Sequence, residues 1–303
     1  MSIFSLLILI TSSNPVFAKT HYVAKWGSNS LDCGPKVNPC LTIGITLMNQ
    51  ATTNDKVVVE PGIYSANNVI DTGKNGSQMS GLKLESSGGR YATRIESVLA
   101  GAPVIRVLQR KVQIGKKGKG FTLSGASIGE AGIEIDSPAY DRCKVEGNQS
   151  AGNGSGFLLR GENIQIRYNI ARNNISHGIS CWDCANGLIQ ENHVVDNGGD
   201  GVLVLANSDN LRLLKNVVSN SDAAGMVVSS QAESVQVKSN VIEQSGAQGV
   251  YLLDVDGAIV QGNIATSNAG SGFIMTQEDV STSLQYKHNL SLGNGDHGVR
   301  LNQ

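Results

Sequence analysis

The sequence predicts an all-β protein that forms a single-stranded parallel β-helix, a solenoid, with a short capping helix at its N-terminal end. Three observations predict this class. The 303 residues include 36 glycines, only 16% charged and 5% aromatic residues, a composition that disfavours helices. A glycine recurs every 22 to 26 residues from Gly156 to Gly298. A short run of alternating apolar residues follows each of these glycines, as expected of short strands.

The repeat contains two marked columns. The glycine column comprises Gly156, Gly178, Gly201, Gly225, Gly249, Gly272 and Gly298. Eight or nine residues before each glycine stands an asparagine: Asn148, Asn169, Asn192, Asn216, Asn240, Asn263 and Asn289. A period this steady indicates a repeat architecture, and the glycine and asparagine content excludes a helical solenoid.

Each column has a physical interpretation. Apolar residues one and three positions after the glycine, such as Val202 and Val204, point to one face of a strand and are buried only when coils stack. The asparagines are expected to form a ladder of amides along the stack. The glycines are expected to turn a sharp corner with positive φ.

The repeat in residues 142–303 resembles that of the right-handed parallel β-helix proteins of the pectate-lyase-like superfamily. The segment "HYVAKWGSNSLDCGPKVNPCLTIGITLMNQATTNDKVVVEPGIYS" is similar to the entry cap of exported members. This resemblance implies a helix from Thr42 to about Gln50 and a first strand at Val57–Val59. We expect the cap and first strand in residues 19–65, irregular coils in 66–141 and regular repeats in 142–303.

The N-terminus predicts export. Residues 1–18 contain the apolar run "SIFSLLILI" and end in "VFA", which fits a signal peptide cleaved after Ala18. The mature protein is then expected to be secreted, periplasmic or at the cell surface, and not in a membrane. Export permits disulfides, and Cys33 and Cys40 flank a loop that could close as one.

The resemblance implies contact with polysaccharide, because members include lyases, glycoside hydrolases, esterases and uronate epimerases. Motifs of the polygalacturonase, alginate-epimerase and pectate-lyase subfamilies are absent from the sequence. Two functions stay open: a polysaccharide lyase or glycoside hydrolase, and a non-catalytic surface or adhesin-like β-helix. The net charge of −1 argues against nucleic acid as a partner. An uncapped last coil would allow end-to-end self-association.

The densest candidate site combines five residues. His177 and Asp200 precede glycines of adjacent coils, where a histidine beside a carboxylate can serve as general acid or base. Asp183 is the second candidate carboxylate, since a glycosidase needs two. Arg160 and Trp182 occupy adjacent coils after the strand, and we expect them to bind a uronate carboxylate and a sugar ring. No metal site and no cofactor are predicted; a calcium ion is compatible with the sequence but is not indicated by it.

Two further features have plain interpretations. Cys181 and Cys184 in "CWDC" lack a second cysteine pair for zinc and a βαβ context for redox chemistry, so we expect a structural, buried Cys181. Cys143 falls in an apolar column and is also expected in the core. The basic loop "GKKGKG" at residues 115–120 could touch an acidic glycan, but is expected to be a solvated turn.

Overall fold

The described chain is a parallel β-solenoid, as predicted. The computed structural model describes residues 17–136, 142–229, 232–276 and 284–302. Most of the predicted signal peptide, the boundary at residue 141 and Gln303 lie outside the described residues. Strands of two to six residues stack into three parallel sheets with 11, 10 and 10 strands. Each circuit of the chain contributes one strand to each sheet, so residues one repeat apart become neighbours.

The strands are named by the sheet they join. Sheet A contains Thr20–Val23, Lys56–Val59, Lys83–Ser86, Gln113–Ile114, Lys144–Glu146, Gln165–Arg167, Leu188–Gln190, Arg212–Leu214, Gln236–Lys238, Ile259–Gln261 and Gln285–Lys287. Sheet B contains Gly62–Ser65, Thr93–Glu96, Thr122–Ser124, Gln149–Ala151, Ile170–Arg172, His193–Asn197, Val217–Ser221, Val241–Glu243, Ile264–Thr266 and Leu290–Leu292. Sheet C contains Asn68–Ile70, Ile105–Val107, Ala131–Asp136, Ser155–Arg160, Ile179–Trp182, Val202–Leu205, Met226–Ser229, Val250–Leu253, Phe273–Thr276 and Val299–Asn302.

The predicted apolar columns form one continuous core. Ile179, Val202, Met226 and Val250 are paired in register along sheet C and are at most 1% exposed. Val299 and Leu301, in the last described strand of sheet C, are 39% and 56% exposed because no described strand stacks on their outer side. The short alternating runs therefore specify the core because stacking gives each inward side chain a like neighbour above and below.

The predicted asparagine ladder is present at the corner between sheets A and B. The main-chain N–H of each ladder asparagine donates to the side-chain oxygen of the next, over 2.8–3.0 Å. A second ladder runs five residues later, at the corner after sheet B. Its members are Asn153, Asn174, Asn197, Ser221, Ser245, Asn268 and Asn294. The hydroxyls of Ser221 and Ser245 are buried and make no hydrogen bond.

The repeat glycines serve close packing rather than a left-handed turn, so the expectation of positive φ is wrong. The left-handed corner positions are taken by other residues, such as Asn163, Asn186 and Asn210 with φ of 59°, 57° and 54°. A Cβ at Gly178 would lie 2.7 Å from the Gly201 carbonyl oxygen and would also clash with Val194. Only glycine lets the coils approach this closely.

A small cap covers the first coil. The helix Ile43–Asn49 begins after Thr42, whose side chain accepts a hydrogen bond from the Ile45 N–H, as an N-cap residue does. A short 3-10 helix, Lys74–Gly76, also contacts this helix. The predicted Cys33–Cys40 disulfide is formed.

The strand Lys56–Val59, which contains the predicted first strand, is the second strand of sheet A because Thr20–Val23 pairs in front of it. Buried Asp55 anchors that first strand. Its carboxylate accepts the Lys19 N–H at 2.6 Å and lies 3.0 Å from the His21 Nε2. The chain before the helix is thereby attached to the solenoid rather than only covering it.

Candidate functional site

The five predicted site residues lie at opposite ends of the strand Ile179–Trp182. His177 and Asp200 precede the strands of adjacent coils, while Arg160, Trp182 and Asp183 lie where the strands end. At about 3.3 Å per residue, His177 and Trp182 are about 16 Å apart along the sheet. The structure therefore forms two small groups rather than one cluster, and it separates Asp183 from Asp200 by roughly 15 to 20 Å, beyond the spacing of a glycosidase pair.

His177 and Asp200 are adjacent, and both hold the corner between coils. The His177 Nδ1 accepts the main-chain N–H of Asp200 at 3.0 Å and lies 3.5 Å from the Asp200 Oδ2. The Asp200 Oδ1 in turn accepts the N–H of Ala224 at 2.9 Å. Because Nδ1 is already an acceptor, Nε2 is the ring nitrogen available to a ligand.

Arg160 and Trp182 are also adjacent, as predicted. They are register partners, and the guanidinium lies 5.6 Å from the centre of the indole ring, which is 38% exposed. The Asp183 carboxylate accepts a hydrogen bond from the Asn207 amide at 3.1 Å. The exposed part of the indole could stack on a sugar ring, with the Arg160 guanidinium beside it.

Cys181 and Cys184 are buried, as expected of Cys181, and they form a disulfide, which the sequence interpretation did not include. The bond ties the end of the strand to the following corner, next to Trp182. Cys143 is buried as expected, and its thiol donates to the Gln109 carbonyl at 3.3 Å.

A cleft on another flank gathers more chemistry. It lies at the corner between sheets A and B, beneath two loops, and has a volume of about 440 Å³. Loop residues supply one wall, and the corners of three successive regular coils supply the other. Its lining comprises Gly88, Gly89, Arg90, Tyr91, Lys117, Gly118, Gly147, Tyr168, Asn169, Ile170, Glu191 and His193.

Two cations are held against tyrosine rings in this cleft. The Lys117 ammonium lies 4.5 Å from the centre of the Tyr168 ring. The Arg90 guanidinium donates to the Tyr168 carbonyl oxygen at 3.2 Å and stacks on Tyr91 at 5.1 Å. The Arg90 main chain is fixed as well, since its carbonyl accepts the Thr122 hydroxyl at 2.7 Å. These contacts hold the two positive groups in place.

The regular coils position the remaining polar groups. Tyr168 and Glu191 are the left-handed corner residues directly before the ladder asparagines, with φ of 59° and 53°. Gln190 donates to the Glu191 carboxylate at 3.0 Å. His193 begins a sheet B strand, is exposed and lies in register between Ile170 and Val217. One coil thus presents a carboxylate and an imidazole two residues apart in sequence.

The groups that line the cleft are of the types that suit an anionic sugar and a proton transfer. Cations bind carboxylates, tyrosine faces stack on sugar rings, and a histidine can take a proton near neutral pH. Glu191 is the one carboxylate in the lining, so the cleft does not hold the pair that a glycosidase uses. Within the described ranges, no group of three His, Cys, Asp or Glu side chains is placed to hold a metal ion.

Sequence reasoning missed this cleft. The basic loop is an exposed turn, as expected, and its Lys117 also contacts Tyr168, which the sequence pattern does not indicate. Arg90 and Tyr91 lie outside the regular repeat. The sequence did contain one indication of the cleft. Tyr168 and Glu191 directly precede ladder asparagines, and the ladder places both side chains at the same corner of adjacent coils.

Comparison with solved structures supports the fold. Pectate lyase Pel9A superposes with a TM-score of 0.65 at 13% identity, over 89% of this chain and 79% of the other. The A-module of the mannuronan C-5 epimerase AlgE4 of Azotobacter vinelandii gives a TM-score of 0.55 at 15% identity, over 79% and 69% of the two chains. A mutant of the periplasmic alginate epimerase AlgG gives 0.54 at 15%, over 82% and 77%.

Sequence comparison identifies the family. No curated protein sequence matches this chain significantly. The family described as the right handed beta helix region matches residues 63–217, 114–254 and 203–303, which together span most of the chain. The columns that stack in the structure lie within these matches, and the protein belongs to the right-handed β-helix family.

Proposed function

We propose that this protein is an exported polysaccharide lyase that binds an acidic polysaccharide in the cleft between sheets A and B. The observation that carries the proposal is the pair of fixed cations, Arg90 and Lys117, against Tyr168 beside Glu191 and His193. Three of the similar folds, all below 20% identity, are named for action on pectate, mannuronan or alginate, and this adds support.

The binding step follows from the cleft chemistry. A uronate residue carries one carboxylate, which Arg90 and Lys117 would bind, and a ring with apolar faces, which Tyr168 or Tyr91 would cover. Glu191 would accept hydrogen bonds from sugar hydroxyls.

The chemical step requires no second carboxylate from the protein. In β-elimination His193 would take the proton from C5 of the uronate, and that electron pair forms the C4–C5 double bond as the bond from C4 to the glycosidic oxygen breaks. The departing oxygen takes a proton from water. Arg90 and Lys117 would stabilise the negative charge that develops on the uronate carboxylate during the step. A hydrolase is favoured less, because Glu191 has no carboxylate partner in the lining.

Export is part of the proposal. The described chain contains two disulfides, Cys33–Cys40 and Cys181–Cys184, which are typical of oxidising compartments. Together with the predicted signal peptide they favour a secreted, periplasmic or cell-surface protein. Among the described residues, no helix has the length and apolar character needed to cross a membrane.

The test is to incubate the purified protein with polygalacturonate and with alginate and to follow the ultraviolet absorbance of the new C4–C5 double bond. We expect absorbance to rise, and His193→Gln to abolish the rise while leaving polymer binding intact. His177→Ala is the control, because it removes the alternative histidine, which lies just before the sheet C strand Ile179–Trp182. Loss of activity in His177→Ala but not in His193→Gln would assign the chemistry to His177 and Asp200.

Binding provides the second readout. Tyr168→Ala is expected to weaken binding of short oligouronates, and Trp182→Ala is expected to leave it unchanged. Binding without any cleavage would favour the non-catalytic, adhesin-like function. Absence of both binding and cleavage on acidic glycans would refute the proposal.

A further inference from the structure

The outward face of sheet A carries unbalanced positive charge. The outward positions follow from the strand register, since they alternate with the buried middle residues. The cations on this basic face are Lys56, Lys83, Lys144, Arg167, Arg212, Lys238 and Lys287. The chain as a whole has a net charge of −1, so the positive charge of this face reflects an uneven distribution of cations and carboxylates over the surface and not a basic protein.

The two carboxylates on this face are already neutralised. Glu85 is 5% exposed and pairs with Lys56 at 2.8 Å. Glu146 is 7% exposed and pairs with Arg167. Lys83, Lys144, Arg212, Lys238 and Lys287 have no ion pair within the described part of the chain. The charge that this face presents to solvent is therefore positive.

Some of the lysines are also held on the sheet. The Lys238 ammonium donates to the side-chain oxygen of Gln236 at 2.8 Å, and Lys287 repeats the contact with Gln285 at 3.3 Å. Each ammonium has three N–H groups, so donors remain for a ligand. Fixing a long side chain before binding lowers the entropy lost on binding.

The basic face is continuous with the cleft. Arg167 ends a sheet A strand directly before Tyr168, and its guanidinium lies 5.9 Å from the Tyr168 ring. From Lys144 to Lys287 the face extends over six strand steps, or about 29 Å at about 4.8 Å per strand. Acidic residues gather instead at the corner between sheets C and A: Glu162, Asp209, Glu233 and Asp256.

We infer that the basic face of sheet A is a binding track for a long acidic polysaccharide lying parallel to the solenoid axis. The inference rests on the proposed function, in that the same polymer would enter the cleft at Tyr168. Anionic groups recur along such a polymer, and five of the seven sheet A strands from Lys144 to Lys287 carry a cation. The outward glutamines of the strands Leu188–Gln190 and Ile259–Gln261, which carry no cation, match sugar hydroxyls. The face offers no aromatic row on which bases could stack, so single-stranded nucleic acid fits it less well.

The experiment compares a polymer with a short ligand. Polygalacturonate and trigalacturonate are titrated against the wild-type protein and the double variant Arg212→Gln/Lys238→Gln. We expect the variant to bind polygalacturonate about threefold to tenfold more weakly at low salt, since each exposed charge contact contributes modestly. The salt dependence of polymer binding becomes shallower as cation contacts are removed. Trigalacturonate binding is expected to be unchanged, because neither residue lines the cleft.

A charge-matched control isolates the face. The double variant Lys36→Gln/Lys74→Gln removes two exposed cations near the N-terminal cap and is expected to bind the polymer as the wild type does. Equal weakening in both doubles would overturn the track. Equal affinity for single-stranded DNA would overturn the assignment of the partner. If Tyr168→Ala leaves trigalacturonate binding unchanged while the sheet A double still weakens polymer binding, the cleft proposal fails and the track stands.

Discussion

Replacing Asn216 by alanine tests what the asparagine ladder contributes to stability. The Asn216 Oδ1 accepts the N–H of Asn192 and its side-chain amide, both at 3.0 Å. The Asn216 Nδ2 donates to the Ile189 carbonyl at 2.9 Å and to the Asn240 Oδ1 at 3.0 Å. Asn216 is 1% exposed, so water does not readily replace these bonds.

The magnitude follows from the groups left behind. The Asn192 N–H loses its acceptor, and a buried unsatisfied group costs about 1–3 kcal/mol. The Asn192 amide retains its bond to the Ile166 carbonyl, and the Asn240 Oδ1 retains the Asn216 N–H. These two groups lose only part of their hydrogen bonding, and the Ile189 carbonyl loses the donor that Asn216 supplies. Together with the unpaired Asn192 N–H, we expect these losses to lower the free energy of unfolding of Asn216→Ala by about 3–5 kcal/mol.

The assay is urea unfolding of wild type and variant, with amide hydrogen exchange to locate the loss, because repeat proteins need not unfold in one step. The control is Asn207→Ala, which removes an exposed amide bonded to Asp183 and is expected to cost less than about 0.5 kcal/mol. A cost below about 1 kcal/mol for Asn216→Ala, or exchange that is unchanged at Asn192, would refute the reasoning.

Three further predictions concern other buried polar groups. The Asn68 side chain is buried, and neither its amide nitrogen nor its amide oxygen makes a hydrogen bond. Its register partner in the next coil is the apolar Ile105, so Asn68→Leu is expected to raise the free energy of unfolding by about 1–3 kcal/mol. A lower melting temperature would contradict this. Burial raises the pKa of Asp55, but hydrogen bonds from the Lys19 N–H, His21 and Thr52 outweigh it and hold that pKa below its ordinary 3.8. The ionised Asp55 therefore stabilises the fold above about pH 4, and this contribution is lost as pH falls through the lowered pKa; acid titrations of stability are expected to show a smaller acid loss in Asp55→Asn. Ser245 and Ile242 lie side by side against Gly225, whereas Asn268 and Ala265 occupy the same places in the next coil. Ser245→Asn alone is expected to lower the free energy of unfolding by about 1–3 kcal/mol, because the larger side chain overpacks against Ile242. Adding Ile242→Ala is expected to restore most of this loss, which a double-mutant cycle measures.

The fold was predictable because its information repeats. Each glycine and ladder asparagine occurs once per coil, so their spacing fixes the register of all three sheets. The reason for the glycines was not predictable in the same way, because a close approach such as that of Gly178 to Gly201 is visible only when coils are stacked. The second ladder has the same period, but serine replaces asparagine at Ser221 and Ser245, which obscures the column.

The site was less predictable because it depends on loops. Reading columns correctly made Arg160 and Trp182 neighbours, and His177 and Asp200 neighbours. The same columns place His177 before the strand and Trp182 at its end, so the separation of the two pairs was also readable from the sequence. Arg90 and Lys117 reach Tyr168 from loops without a period, and their conformation follows from contacts distant in sequence. A repeat pattern carries no information about such contacts.

The asparagine ladder also gives the stack a direction. The Asn192 N–H finds its acceptor on Asn216, and Asn216 donates back to the Ile189 carbonyl, so the corner of one coil is completed by the coil that follows it in sequence. During synthesis from the N-terminus, each coil of the ladder would therefore leave the ribosome with open bonds and acquire its last partners only after about one more repeat has emerged. Growth of the nascent solenoid would proceed with a constant lag of a single turn, whatever the number of turns already formed.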